Sequence, residues 1–211
     1  MKKIIIGILF LSFFALIWIG VALEASWILW IDEAGRNILA DSIVGTSQTA
    51  FFRTVGRIGE VRFAIVIASI AAVILWFKDK LLSLWLFASI VFSGAIVTQT
   101  VKYVSTRPRP TYGLFTRDSW SFPSGHATGA TIFYGVIIIL AIWYLQKAWQ
   151  RNLVIVCTVI FAILISWSRV YLGVHFTTDV IAGFFLGAGQ LLIWTEIYLR
   201  IKNHLNTIKT T

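Results

Sequence analysis

Residues 81–110 read LLSLWLFASIVFSGAIVTQTVKYVSTRPRP. Leu81 to Val101 contains no charged residue, whereas Lys102 to Pro110 carries a lysine, two arginines and two prolines. A helix crossing about 30 Å of hydrocarbon needs about 20 mainly apolar residues, with about 17 a practical minimum. The stretch therefore predicts a membrane span that gives way to a cationic, non-helical connector, because proline lacks a backbone donor and disfavours helix in the residue before it.

Five further uncharged runs lie outward from it: Ile4 to Leu23, Phe63 to Phe77, Ala127 to Leu145, Leu153 to Trp167 and Val180 to Thr195. The shorter ones extend to spanning length through end residues such as Arg62, Ser168 and Glu196, which can face protein or reach toward the interface. Composition agrees, with 58% hydrophobic and 13% charged residues against about 25% charged in soluble proteins. The expected fold is all-α, an integral membrane bundle of six transmembrane helices forming one domain over residues 1–211. The amino-terminal Met-Lys-Lys and apolar run also fit a secretory signal cut after Ala22. An uncharged run of 20 residues exceeds the roughly 7–15 of a signal core, so a retained helix is expected.

Between the first two spans, Ala25 to Glu60 is too polar to cross. Trp27, Trp30, Ile31, Ile38, Leu39, Phe51, Phe52, Val55 and Ile58 recur there at helical spacing, which predicts an interfacial helix or a pair of them bordering a route for lipid. Lys2, Lys3, Lys78, Lys80, Lys147, Arg151, Arg200 and Lys202 all fall on one side of a six-span arrangement. The positive-inside rule makes that side cytoplasmic, with both termini. The polar segments then face outward from a bacterial cytoplasmic membrane. The net charge of +9 is scattered between apolar runs without a nucleic-acid-binding motif, so the expected partners are the bilayer and its anionic lipids, with no nucleic acid and no obligate protein partner. Cys157 stands alone in a span and is expected to be a small buried residue.

Three polar segments carry the chemistry: Lys102 to Pro110, Pro123-Ser124-Gly125-His126, and Ser168 to Asp179 (SRVYLGVHFTTD). His175 and Asp179 are four apart, one face of a helical turn. A carboxylate on one imidazole nitrogen fixes the tautomer and leaves the other lone pair free to attack. His126 opens a span, and across a bound phosphate it would protonate a leaving alkoxide and then activate water. Ser124 and Gly125 precede it at a helix amino terminus, which favours anions. Lys102, Arg109 and Arg169 supply cationic donors for equatorial oxygens. Arg107 and Arg117 share the connector and read as solvated or lipid-headgroup contacts, and His204 as exposed tail. Glu196 and Arg200 read as a structural i, i+4 pair, and Tyr103 and Tyr171 either orient neighbours or line the pocket.

The runs Lys102-x6-Arg109-Pro110, Pro123-Ser124-Gly125-His126 and Ser168-Arg169-x5-His175-x3-Asp179 resemble the three-part signature of the type 2 phosphatidic acid phosphatase superfamily. The resemblance implies a membrane lipid phosphatase without cofactor. It implies His175 as nucleophile, Asp179 as its partner, His126 as general acid, and Lys102, Arg109, Ser124, Gly125 and Arg169 as phosphate ligands. Zinc on the histidines and aspartate is disfavoured, because three cationic side chains would crowd a cation. Substrates with an apolar tail are expected, phosphatidylglycerophosphate first and undecaprenyl diphosphate second. Gly125 is similar to the broader lipid phosphatase type, whereas enzymes dedicated to undecaprenyl diphosphate often resemble a version with aspartate there. A transporter or scramblase that binds lipid phosphate without hydrolysis is the competing class, and a vanadate-dependent peroxidase a remote one.

Overall fold

The computed structural model describes residues 2–40, 45–115 and 118–210; Arg117 and the centre of the segment between the first two spans lie outside them. The described residues form helices α1 (Lys2–Ala22), α2 (Ser26–Ala40), α3 (Thr46–Ile58), α4 (Val61–Trp76), α5 (Lys80–Leu86), a π-helical section (Phe87–Val97), α6 (Thr98–Ser105), α7 (Gly125–Tyr144), α8 (Ala148–Tyr171) and α9 (Thr177–Thr210). Among the described residues, six stretches are long and apolar enough to span a membrane: Lys2–Ala22, Ser47–Trp76, Lys80–Ser105, Gly125–Tyr144, Ala148–Tyr171 and Thr177–Ile208. The chain is thus an all-helical, multi-pass membrane protein.

Local chemistry sets the helix ends that matter for the site. Thr106 takes a left-handed conformation (φ 46°) and stops α6 one residue before the cationic connector. Ser124 caps α7, its hydroxyl accepting from the Ala127 N–H at 3.4 Å, which satisfies a donor that the helix leaves unpaired. The second span differs from expectation. Its apolar run starts at Phe63, yet α3 precedes α4 with only Gly59 and Glu60 between them. The segment between the first two spans is accordingly a pair of helices, α2 and α3, the second leading directly into α4.

Helix α9 is the central post, packing against α1 along one side and α7 along another. Gly183 lets the start of α7 come close: a Cβ there would lie 2.8 Å from the Ser124 carbonyl oxygen. At the opposite end of the bundle from the polar segments, Trp85, Trp143 and Tyr198 cluster, with ring centroids 5.2 to 5.7 Å apart. The outward faces of α1, α4 and α8 expose Ile5, Leu9, Leu16, Ile67, Ile70, Ile160 and Ile163. In water that would be an aggregation surface, and in a bilayer it is the lipid contact. Cys157 belongs to this face: it is exposed, contrary to the buried position expected of it, because in a span a small apolar residue gains as much from lipid as from the core.

Candidate active site

The four ends α6, α7, α8 and α9, with the connector between α6 and α7, bring all eight candidate residues to one end of the bundle. His175 sits between α8 and α9 and is buried. Its Nδ1 lies 3.3 Å from Asp179 Oδ2 and its Nε2 lies 3.2 Å from Arg109 Nη1. A guanidinium only donates and an ionised carboxylate only accepts. Both neighbours therefore select the same tautomer, with the proton on Nδ1 and the lone pair on Nε2. Burial, followed by the nearby Arg109 and Lys102 charges, outweighs Asp179 and lowers the pKa of His175 from 6.5 to about 4. The ring is neutral at physiological pH, as a nucleophile must be.

Arg109 is clamped over that ring. It donates from Nε to the Ser119 carbonyl at 2.7 Å, from Nη2 to Ser119 Oγ at 2.9 Å, and from Nη1 to the Val174 carbonyl. Lys102, on the last turn of α6, donates to the carbonyls of Trp120 at 2.7 Å and Ser121 at 3.1 Å. The connector is thereby drawn back onto the helix that precedes it. Gly125 stands beside Lys102, whose Cε would be 3.9 Å from a Cβ at that position, with no nearer obstruction. The backbone N–H of Ser124 donates to the Asp179 carbonyl at 2.9 Å, locking the second segment to the third. His126, on the first turn of α7, faces Arg169, with Nη1 and Nε2 3.5 Å apart.

Arg169 reaches His126 by passing directly over Gly56 of α3. A Cβ on Gly56 would lie 1.5 Å from Arg169 Nη2, so only glycine permits that path. Because the obstruction would be the end of a flexible side chain, Gly56→Ala is expected to displace Arg169 rather than to unfold the protein. Alanine also favours helix by about 1 kcal/mol over glycine. The expected result is unchanged or raised thermal stability with kcat/KM lowered about tenfold or more, read from melting curves and phosphate release on one preparation.

Three residues that the sequence did not place in the site complete the cluster. Arg107, expected to be a solvated or headgroup contact, is instead largely enclosed: its side chain is 11% exposed, and it bridges Asp179 Oδ1 at 2.6 Å and Asp32 Oδ2 at 2.5 Å. Its neighbours supply the reason, since a cation between two buried carboxylates is compensated as it would not be alone. Asp32, on α2, also accepts from the backbone N–H of Thr178 at 2.9 Å and from the Thr178 hydroxyl at 2.8 Å, thereby capping α9 from another helix. Ser121 donates to Asp179 Oδ2. With the Phe176 N–H at 3.0 Å, Asp179 is held from four directions. One signal for Asp32 was present: it is the acid among Ile28, Asp32 and Gly35, spaced for one helical face. Of the remaining candidates, His204 and Tyr103 are exposed. Glu196 and Arg200 pair at 3.2 Å, and Tyr171 is buried against Phe52.

Below the site, an apolar cavity of about 800 Å³ lies among α1, α7, α8 and α9, lined by Phe10, Tyr134, Ile138, Ile163, Thr177 and Phe184, and down α9 as far as Leu192. Thr177 to Leu192 is 15 steps of helix, about 22 Å at 1.5 Å per residue.

The chain has relatives among known proteins. Phosphatidylglycerophosphatase B of Bacillus subtilis is 37% identical over 111 residues, 52% of this chain and 53% of its own. Undecaprenyl-diphosphatase of Sulfolobus acidocaldarius is 34% identical over 127 residues, 56% and 57% of the two chains. The chain thus spans about half the length of the curated relatives it matches. The crystal structure of a transmembrane PAP2-type phosphatidylglycerolphosphate phosphatase from Bacillus subtilis superposes with a TM-score of 0.77 at 25% identity, over 95% of this chain and 98% of that one. Residues 82–202 match the PAP2 superfamily, a range that contains every one of the eight candidate residues, and the chain belongs to that family.

Proposed function

We propose that this protein is a lipid phosphate phosphatase that works through a phosphohistidine. The observation that carries the reading is the buried, neutral His175, its tautomer fixed from both sides by Asp179 and Arg109. In the proposed cycle, Nε2 attacks the terminal phosphorus and forms an N–P bond as the bond from phosphorus to the lipid oxygen breaks. His126 gives a proton to that departing oxygen. His126 then takes a proton from water, which attacks the phosphohistidine, breaks the N–P bond and leaves as inorganic phosphate. Lys102, Arg109, Arg169, the Ser124 hydroxyl and the Gly125 N–H hold the equatorial oxygens where charge accumulates. No step draws on a metal or cofactor.

The membrane spans and the apolar cavity beside Thr177 favour a substrate with a long apolar tail. Phosphatidylglycerophosphate is the leading substrate, supported by the Bacillus subtilis relatives. Undecaprenyl diphosphate is the second, supported by the Sulfolobus relative. Hydrolysis on the extracytoplasmic face, with both termini cytoplasmic, follows from the basic residues at the other end of the bundle. One domain over 1–211 carries the whole reaction. The testing experiment is phosphate release by purified protein from phosphatidylglycerophosphate, phosphatidate, undecaprenyl diphosphate and a soluble sugar phosphate, with a chelator present. Release from the lipids, undiminished by the chelator, is expected. Protein that moved labelled lipid between leaflets but released no phosphate would establish the scramblase class instead.

The depressed pKa of His175 predicts the pH profile. Protonating Nε2 removes the nucleophile, so activity falls as pH falls through about 4. An ordinary histidine would place that limb near 6.5. The acid limb of kcat/KM, corrected for ionisation of the substrate, is expected at the lower value. A limb near 6.5 would mean that a solvated histidine is the nucleophile. Stability has the same sign: between 6.5 and about 4 the unfolded chain binds a proton that the folded chain does not, so this contribution is lost as pH falls through that window.

A further inference from the structure

On the far side of Arg169 from His126, a second and more polar cavity of about 330 Å³ is lined by Arg53, Gly56, Arg57, Glu60, Phe115 and Arg169 among others. Arg53 and Arg57 come from α3, outside the family-matched residues, and no part of the proposed cycle uses them. They are four apart on one helix face, where like charges destabilise a helix, and they face a third arginine across the cavity. Arg53 is held with its guanidinium carbon 4.0 Å from the centre of the Phe115 ring, so it is oriented rather than loose. Arg57, in the last turn of α3, favours the negative end of that helix dipole. The helix end accounts for one cation, but not for three lining one cavity in which Glu60 is the single acid among the described lining residues.

We propose that Arg53, Arg57 and Arg169 form a subsite for a second phosphate group of the substrate, next to the one transferred to His175. The proposal rests on the phosphatase reading above and narrows its substrate class to lipids that carry two phosphates, joined directly as a diphosphate or across a short linker such as glycerol. Arg169 is the shared element. One guanidinium has five donors in a planar fork, enough to meet the transferred phosphate on its His126 side and the retained one on its α3 side. The cavity has room for a phosphate group, and Arg53 and Arg57 give that anion the two charges that a monophosphate would leave unmatched.

The same cations could instead gather anionic headgroups from the surrounding membrane. A matched pair of substrates separates the two sources: phosphatidate, with one phosphate, and diacylglycerol diphosphate, with the same tails and two. Full-length wild type and the Arg53→Gln, Arg57→Gln and doubly substituted variants are assayed in nonionic detergent at equal surface concentration. The expected result is a loss of about tenfold or more in kcat/KM per arginine on the diphosphate. Phosphatidate turnover is expected to stay within about twofold, and Arg57→Lys to recover part of the loss. Both arginines are exposed, so the variants are expected to fold, and the phosphatidate rate checks this within the same experiment. Equal losses on both lipids would overturn the subsite in favour of general headgroup attraction, and no loss on either would overturn it outright. Wild-type protein releasing phosphate from neither lipid would remove the phosphatase reading and the subsite with it, a result distinguishable from both.

Discussion

Replacing His175 with alanine is expected to lower phosphate release by about 10⁴-fold or more on every substrate, the scale seen when a covalent nucleophile is removed. The size follows from there being no substitute. His126 faces Arg169, and each of the other candidates at this end is a cation, a hydroxyl, a backbone donor or a carboxylate already held by four donors. Water could attack phosphorus directly in the vacated space, but without the bond-by-bond division of the barrier that a covalent intermediate gives. Substrate affinity should change little, because Lys102, Arg109 and Arg169 remain. Equilibrium binding of inorganic phosphate to the variant reads that separately. A variant retaining even a tenth of the wild-type rate would refute the nucleophile assignment.

The second large effect is expected at Arg107, a residue with no reason to touch substrate. Asp179 is fully buried and Asp32 nearly so, and Arg107 is the cation between them. Arg107→Gln leaves two buried carboxylates short of their compensating charge, and breaking a buried pair typically costs about 3–5 kcal/mol. In the protein that remains folded, Asp179 is no longer held at Oδ1 and positions the His175 ring less rigidly, although Oδ2 still meets Nδ1. A misplacement of about 1 Å at a reacting group costs about 10²-fold, so kcat should fall by that order while KM moves little. A pH profile separates positioning from simple loss of fold. With the Arg107 charge gone, Asp179 favours protonated His175 more strongly, and the acid limb is expected to move up from about 4. Asp32→Asn, one step further from the ring, loosens the same bridge and should lower kcat to a smaller degree, but it removes a negative charge and should not move the acid limb up; Arg107→Lys should restore part of kcat. A lowered Tm with an unchanged acid limb and a normal rate per folded molecule would reduce Arg107 to a purely structural bridge.

Those two residues also mark where reading the chain as a string stops. The six spans were legible because bilayer thickness imposes a length on apolar runs. That the eight candidate residues come to one end of the bundle was legible because the three polar segments interrupt otherwise apolar sequence at helix ends; His175 itself lies just before α9 and still meets Asp179 four positions on. Arg107 was not legible: two residues from Arg109 in a proline-rich connector, its spacing is equally that of a solvated arginine, and its burial depends on where α2 docks. Asp32 meets Thr178 across 146 positions of sequence, a contact made by tertiary packing alone. Gly56 was not legible either: it is a helical position kept clear for Arg169, a demand set only by how α3 packs on α8. Cys157 was misplaced for a related reason, since inside a bilayer apolarity does not distinguish the core from the lipid-facing side.

The central claim is that phosphate passes through His175. The direct measurement is the phosphoenzyme itself, taken on His126→Ala protein mixed with an aryl phosphate, whose leaving group departs without a proton donor. The first step should then proceed and the water-dependent second step should stall. After quenching in alkali, where a phosphorus–nitrogen bond survives, peptide mass spectrometry is predicted to place one phosphoryl group on His175. Steady turnover with no phosphoryl group on the chain, or a phosphoryl group on any other residue, would contradict the account.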